Sequence, residues 1–286
     1  MIDNILVKGK KYEGCNASFE QARIVLFGAG FDGTSSYRPG SRFAPMAIRS
    51  ETFFAQEDYS PYFDRDLTQH AVHDLGDVEI VFGSSSKSLD HIEKVSRFIV
   101  DHGKKPVCIG GEHLVTLPAI KPLIDCYPDL HVVQLDAHLD LMDELFGDKY
   151  SHGSVMKRIQ DLLVEPYRIY QVGIRSGSKE EFAYARKNTR LFKFHVNDFL
   201  QNLDDLREKP IYLTVDLDVF DPSLIRGTGT PEAGGIFFQD YIEVLKHLDK
   251  FNIVGADVVE LAPHIDPTQV STIVTSKILR ELLLIL

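Results

Sequence analysis

Runs of β-branched and aromatic residues recur along the chain with longer stretches of helical period between them, and this alternation limits the fold most. The runs are RIVLFG around Ile24, PVCIGG from Pro106, HVVQLD from His131, RIYQVGIR from Arg168, PIYLTVDLDV from Pro210 and NIVGADVVEL from Asn252. Apolar residues three and four apart mark helices over Ser88 to His102, His152 to Val164, Ser178 to Lys187, Gln239 to Leu248 and Thr268 to Leu286. Strands that are apolar at nearly every position are buried on both faces. The expected fold is therefore α/β, a three-layer αβα domain with a mainly parallel sheet. With no internal repeat, low-complexity tract or linker, residues 1–286 read as one domain. In such sheets a ligand sits beyond the carboxyl ends of the strands.

A chain of 286 residues with 44% hydrophobic composition can bury a large core, and its net charge of -11 disfavours nucleic acid or an anionic membrane as partner. Cys15, Cys108 and Cys126 are odd in number and lack a C-x-x-C spacing, so neither a disulfide framework nor a thiolate zinc site is expected. The N-terminus shows no signal-peptide core, and the C-terminal ILRELLLIL is broken by Arg280 and Glu281. A cytoplasmic protein without a membrane segment is the expectation.

Gly28, Gly30 and Gly33 match the dinucleotide fingerprint G-x-G-x-x-G in form. That fingerprint needs a helix to open at once, so that its amides hold a pyrophosphate. Here Pro39-Gly40 follows within a few residues, and a flexible loop over a site fits better.

The polar clusters fall where strands end. In HVVQLDAHLDL, the side chains of Asp136, His138 and Asp140 share one face if the backbone stays extended. PIYLTV likewise ends in Asp216-Leu-Asp218. Burying such acids without a counter-ion costs several kcal/mol per ion. IGGEH places His113 at the opening of a helix, where alone it reads more simply as a packing or capping residue. Together His113, His138, Asp136, Asp140, Asp216 and Asp218 offer two imidazoles and four carboxylates, the charge that matches two divalent cations. Oxygen-rich ligation without thiolate suits Mn²⁺ better than structural zinc and leaves cobalt, nickel or zinc open. Two ions about 3.5 to 4 Å apart lower the pKa of a shared water, which implies hydrolysis.

At this point the motifs resemble a known family. GGEH at Gly110 to His113, DAHLD at Asp136 to Asp140, SHG at Ser151 to Gly153 and DLDVFDPSLIRGTGTPEAGG at Asp216 to Gly235 are similar to the successive signatures of the ureohydrolases, the binuclear manganese family of arginase and agmatinase. The likeness runs from SYRPGSRFAPMAIR at Ser36 to Arg49 through GADVVELAP at Gly255 to Pro263 and the last helix. It implies an arginase-like fold, two Mn²⁺ ions and a homotrimer or homohexamer. One ion would be held by His113, Asp136, Asp140 and Asp216, the other by Asp136, His138, Asp216 and Asp218. The resemblance also implies that Asp140 carries a proton, that His152 shuttles protons and that Glu260 receives a substrate guanidinium. Read alone, His152 is a loop histidine and Glu260 a strand-end acid.

The loop from Leu141 to Tyr150 bears on the substrate. It lacks the Asn- and Ser/Thr-rich run with which arginases meet a carboxylate, and carries Asp143, Glu144 and Asp148 instead. With GIRSGSKEEF at Gly173 to Phe182 it resembles agmatinases. The implied reaction is cleavage of agmatine to putrescine and urea in polyamine biosynthesis, the alternative being an arginase or guanidinobutyrase. Arg226 departs from the family, which usually has proline before Gly-Thr-Gly-Thr.

Overall fold

The computed structural model describes residues 2–286. The first half of the chain runs β1 (Leu6–Val7), β2 (Ile24–Gly28), α1 (Ala44–Ala55), β3 (Tyr59–Ser60), β4 (Arg65–Asp66), β5 (Val72–Val78), α2 (Ser85–Asp101), β6 (Lys105–Ile109), α3 (Thr116–Cys126) and β7 (His131–Leu135). It continues α4 (Val155–Leu163), β8 (Ile169–Ile174), α5 (Lys179–Asn188), β9 (Arg190–Lys193), α6 (Asn197–Leu200), β10 (Pro210–Asp216), α7 (Phe238–Leu248), β11 (Asn252–Val259) and α8 (Val270–Leu283). A nine-stranded sheet has the order β1-β5-β2-β6-β11-β10-β7-β8-β9 and is parallel apart from β1; β3 and β4 form a separate hairpin.

Side-chain alternation divides the core between the two faces of this sheet. Ile211, Leu213 and Val215 of β10 pack with Tyr241, Leu245 and Leu279 of α7 and α8, while Tyr212 joins Ile92, Ile120 and Ile159 of α2, α3 and α4 on the other face. Both faces of β2, β7 and β8 are buried, which is why their sequences are apolar without interruption.

The expected elements form with shifted ends. The helix expected over Ser88 to His102 starts at Ser85, capped by the Ser84 side chain. The segment from His152 opens as a 3-10 turn over His152–Ser154 before α4, and α8 spans less than the apolar tail suggested. Ser178 and Glu181 close a capping box on α5. No helix opens directly after Gly33; α1 starts only at Ala44. The glycines there serve close approach instead: a Cβ on Gly111 would stand 2.0 Å from Phe31 O, and one on Gly30 would stand 2.5 Å from Arg42 O.

Several elements, α1 and the short β1, β3, β4 and α6 among them, had no clear sequence signal, and β5, β9 and α3 show why. VHDLGDV forms β5 although it is half polar, because Arg49 of α1 reaches Asp74 with Nε at 2.7 Å and Nη2 at 2.9 Å. Asp77 also bonds Arg49, and Asp74 accepts from Tyr12 N at 2.8 Å. RLFK forms β9 at the far edge. Helix α3 forms despite Pro118 and Pro122.

The Arg49–Asp74 pair is buried and fully bonded, so breaking it strands a charge. Arg49→Ala should lower the unfolding free energy by about 3–5 kcal/mol. Chemical denaturation of the variant checks this; a loss under about 1 kcal/mol would match an exposed pair instead.

Candidate active site and metal centre

Four neighbouring strands, β6-β11-β10-β7, end at one edge of the sheet, and the residues beyond them meet there. Val215 of β10 is level with Leu135 of β7, and Val258 of β11 with Ile109 of β6. That register brings Asp216 and Asp136 out together and sets the β6 turn beside the end of β11.

His113 and His138 anchor two clusters. His113 Nδ1 faces Asp140 Oδ2 at 3.0 Å, Asp136 Oδ2 at 3.1 Å and Asp216 Oδ2 at 3.3 Å. His138 Nδ1 lies 2.9 Å from Asp218 Oδ2 and 3.7 Å from Asp136 Oδ1. Ligand atoms of His113, Asp136 and Asp140 fall within 4.8 Å of one another, as do those of Asp136, His138 and Asp218, so Asp136 is common to both groups. A divalent cation fits the donor set: His113 Nδ1 is buried with three carboxylate oxygens around it, yet none meets it in hydrogen-bonding geometry. A cation between them would satisfy all four atoms at once.

The local backbone differs from the extended one expected. Asp140 has φ +52°, and Asp218 belongs to a 3-10 turn over Leu217–Val219. A left-handed non-glycine residue costs about 1–3 kcal/mol and needs support. Asp140 has it, because its carbonyl accepts from Met156 N at 3.0 Å and Lys157 N at 3.2 Å at the start of α4. Asp216 Oδ1 accepts from Asp218 N at 2.9 Å, and Asp218 Oδ1 from Ala137 N at 3.1 Å. Beneath them a buried chain fixes Asp136: Thr189 donates to Gln171, Gln171 to Gln134 at 2.8 Å, and Gln134 to Asp136 Oδ2 at 2.7 Å.

Glu260 and His152 border the same cavity, whose volume is about 290 Å³. Glu260 is left-handed too, at φ +69°; its N donates to Gly111 O and its Oε1 accepts from His113 N, both at 2.8 Å. The loop after Gly30 crosses the site as a strap. Buried Glu112 takes the Thr34 amide at 2.9 Å and the Ser35 hydroxyl at 3.1 Å. At its far end Arg38 donates to Thr228 O at 2.8 Å. The strap holds His152, whose N donates to Thr34 Oγ1 at 3.1 Å and whose Nε2 lies 3.0 Å from Ser36 Oγ. Sequence reasoning missed Thr34, Ser36, Glu112 and Gln134, although Ser36, Glu112 and Gln134 lie inside motifs it singled out.

Burial dominates the electrostatics. It pushes the Asp136 carboxyl up to about 7, with Asp218 and Asp140 adding to the effect, and raises Asp216 well above the usual range. Burial opposes charge on His138, but Asp218 and Asp136 outweigh it and raise the imidazole to about 11. Asp218, beside His138, falls to about 2 against its own desolvation. Glu260 is held well above the carboxylate range by burial and by Glu112. His152 is lowered, chiefly by burial, so it is neutral at pH 7.

The acids of the Leu141–Tyr150 loop do not line the cavity, contrary to expectation. Asp143 turns outward to Arg158 of α4 at 2.7 Å, Asp148 accepts from Tyr150 N at 2.8 Å, and Glu144 is exposed. Met142 and Leu145 face inward in their place. Among the described residues, no lysine or arginine lines this cavity, whereas Glu181 and Glu260 do. Arg226 also has a local reason: its N donates to Ser271 Oγ at 3.1 Å, a bond proline cannot make.

Comparison with known proteins matches residues 22–285 to the arginase family. An agmatinase of Bacillus anthracis is 42% identical over 280 residues, covering 96% of each chain. An N(1)-aminopropylagmatine ureohydrolase of Thermococcus kodakarensis is 38% identical, covering 85% of this chain and 84% of its own. A crystal structure of a protein described as a putative agmatinase from Clostridium difficile superposes with a TM-score of 0.91 at 46% identity, covering 94% of this chain and 98% of that one.

The shifts fix how the metal-free protein responds to pH. With His138 raised to about 11, the folded state keeps a proton between pH 7 and 9 that the unfolded state has released. This stabilisation is complete below the unfolded value and is lost as pH rises. Stability of chelated protein should therefore fall over that window by on the order of 1 kcal/mol per pH unit. Adding Mn²⁺ at pH 8, which displaces such protons, should raise the thermal midpoint. Calorimetry with and without chelator checks both; a midpoint that climbs with pH in chelated protein would contradict the charge balance described.

Proposed function

The chain belongs to the arginase family, and on that premise we propose that it is an agmatine ureohydrolase with two Mn²⁺ ions, releasing urea and putrescine. The observation that carries the reading is one cavity whose wall includes Glu260 and a member of each His/Asp group, Asp140 of one and His138 and Asp218 of the other. His113, Asp136, Asp140 and Asp216 would hold one ion, and Asp136, His138, Asp216 and Asp218 the other. Bound there, two divalent cations supply activation of water as a nucleophile at neutral pH.

The remaining work falls to the chain's own side chains. A guanidinium seated against Glu260 provides the counter-charge that its burial lacks, and charge-assisted hydrogen bonds fix the plane of the group. His113 N holds Oε1 in place, so the carboxylate is oriented before substrate arrives. Hydrolysis breaks the C–N bond to the alkyl chain and leaves the water's oxygen on the guanidinium carbon as urea. Of the water's two protons, one is released to solvent as the nucleophile forms and is regained from solvent by the freed amine. The other moves to the departing amine nitrogen. Asp140, on the same rim, takes that proton and delivers it. Neutral His152, whose Nε2 is held by Ser36, borders the cavity and exchanges protons between it and solvent.

Selection of agmatine rests on the cavity wall. Arginine or 4-guanidinobutyrate would bring a carboxylate to a lining with carboxylates and no cation among the described residues. Agmatine brings an ammonium instead. As an agmatine ureohydrolase the protein would form putrescine for polyamine biosynthesis in the cytoplasm, as a homotrimer or homohexamer; light scattering reads the assembly.

Mn²⁺-loaded protein should release urea from agmatine in preference to arginine and 4-guanidinobutyrate assayed in parallel. Urea from none of the three overturns the enzyme reading, and preference for arginine overturns only the substrate. Asp140→Asn should lower kcat by about 10²- to 10⁴-fold, and Asp218→Ala should nearly abolish turnover. Wild-type rates in either variant would remove these residues from the mechanism.

A further inference from the structure

Glu112 takes no part in the chemistry above, yet it is fully buried one residue before His113. Among the described residues, every bond to its carboxylate comes from the strap that crosses the site. Oε2 accepts from Thr34 N at 2.9 Å and from Ser35 Oγ at 3.1 Å, and Oε1 accepts from the Thr34 hydroxyl. The Glu112 peptide is tied to the same segment, its N donating to Phe31 O at 2.8 Å.

Thr34 links that carboxylate to His152. Its hydroxyl oxygen accepts from His152 N at 3.1 Å. A backbone amide can only donate, so the single hydroxyl proton of Thr34 is left for Glu112, and both bonds have a settled direction. His152 opens the 3-10 turn that leads into α4, and the first amides of such a segment find no partner within it. Thr34 supplies one from outside. The ring of His152 is held by the same strap, with Nε2 3.0 Å from Ser36 Oγ. Backbone and ring of His152 thus both depend on residues 34–36, and these are fastened to the turn that carries His113.

We propose that Glu112 is a positioning residue that acts through Thr34 to set the place of His152 at the cavity. The inference rests on the reading of His152 as the group that exchanges protons with solvent. Ser35 separates this role from simple fastening of the strap, because its hydroxyl bonds the same carboxylate and makes no bond to His152.

Steady-state kinetics of the Mn²⁺-loaded protein with agmatine test the link. Thr34→Val, which keeps the shape and removes the hydroxyl, should lower kcat by about 10- to 100-fold, with KM and bound Mn²⁺ unchanged. Thr34→Ser, which restores the hydroxyl, should keep kcat. Glu112→Gln should lower kcat as Thr34→Val does, and Ser35→Ala should not. In a His152→Ala background Thr34→Val should change kcat by less than about 2-fold, because the group it positions is gone. If Glu112→Gln does not fold, Glu112→Asp, one methylene shorter, takes its place. A wild-type kcat in Thr34→Val or in the folded Glu112 variant overturns the proposal, as does an equal loss in both backgrounds or a loss shared by KM and metal content. A wild-type kcat in His152→Ala alone defeats the proton-exchange reading itself, a result distinct from failure of the link.

Discussion

Mutual repulsion among Asp136, Asp140, Asp216 and Asp218 is the constraint around which this molecule is arranged. Four carboxylates stand at the ends of adjacent strands, and all are largely buried. Each has a hydrogen bond or a close imidazole to fix it, from Gln134, Ala137 N, Asp218 N or the ring of His113. Hydrogen bonds of this kind orient charge but do not cancel it. Burial and mutual repulsion raise Asp136 and Asp216, and the acids draw protons to His113 and His138 against the burial of those rings. Relief of the cluster by the chain alone therefore comes where the ligand atoms are least available. Affinity for cations and intrinsic stability thus draw on the same protons.

The two left-handed residues at the site belong to the same arrangement. Asp140 and Glu260 give up favourable backbone geometry, and each is held by bonds at its own peptide: Asp140 by the first amides of α4, Glu260 by Gly111 O. A residue that continued in extended geometry would aim its side chain elsewhere. Strain here is local, and the helix and the glycine turn that support it lie outside the reacting groups.

Much of this was legible in the sequence, for a physical reason that also marks its limit. Chain polarity and burial write themselves into the apolar runs of β2, β6, β7, β8, β10 and β11, so the parallel sheet and the edge that bears the site could be read directly. The acids and histidines that follow those runs were found by assuming continued alternation. That assumption picked residues that the structure brings together, but by the wrong geometry, since Asp140 and Asp218 leave the strand conformation. Strand β5 was hidden because its polar residues are matched by Arg49, a partner distant in sequence. The outward turn of Asp143 had the same cause, a pairing with Arg158 that local composition does not announce. Glu112 and Ser36 act through tertiary contacts, and Gln134 is fixed by Gln171 of the next strand; no spacing rule reports such contacts.

The loop between Asp140 and His152 has a different kind of attachment from the rest of the site. One of its acids, Asp143, is bound from outside by Arg158, and its inward face is Met142 and Leu145. The ligand atoms beside it are fixed by strand ends, backbone amides and the buried glutamine chain instead. Recognition of the substrate tail and performance of the chemistry are thus mechanically separable. A lineage can lengthen, shorten or recharge this loop without disturbing the groups that act on the guanidinium, so new substrates are reachable by small steps in which the reaction is never lost.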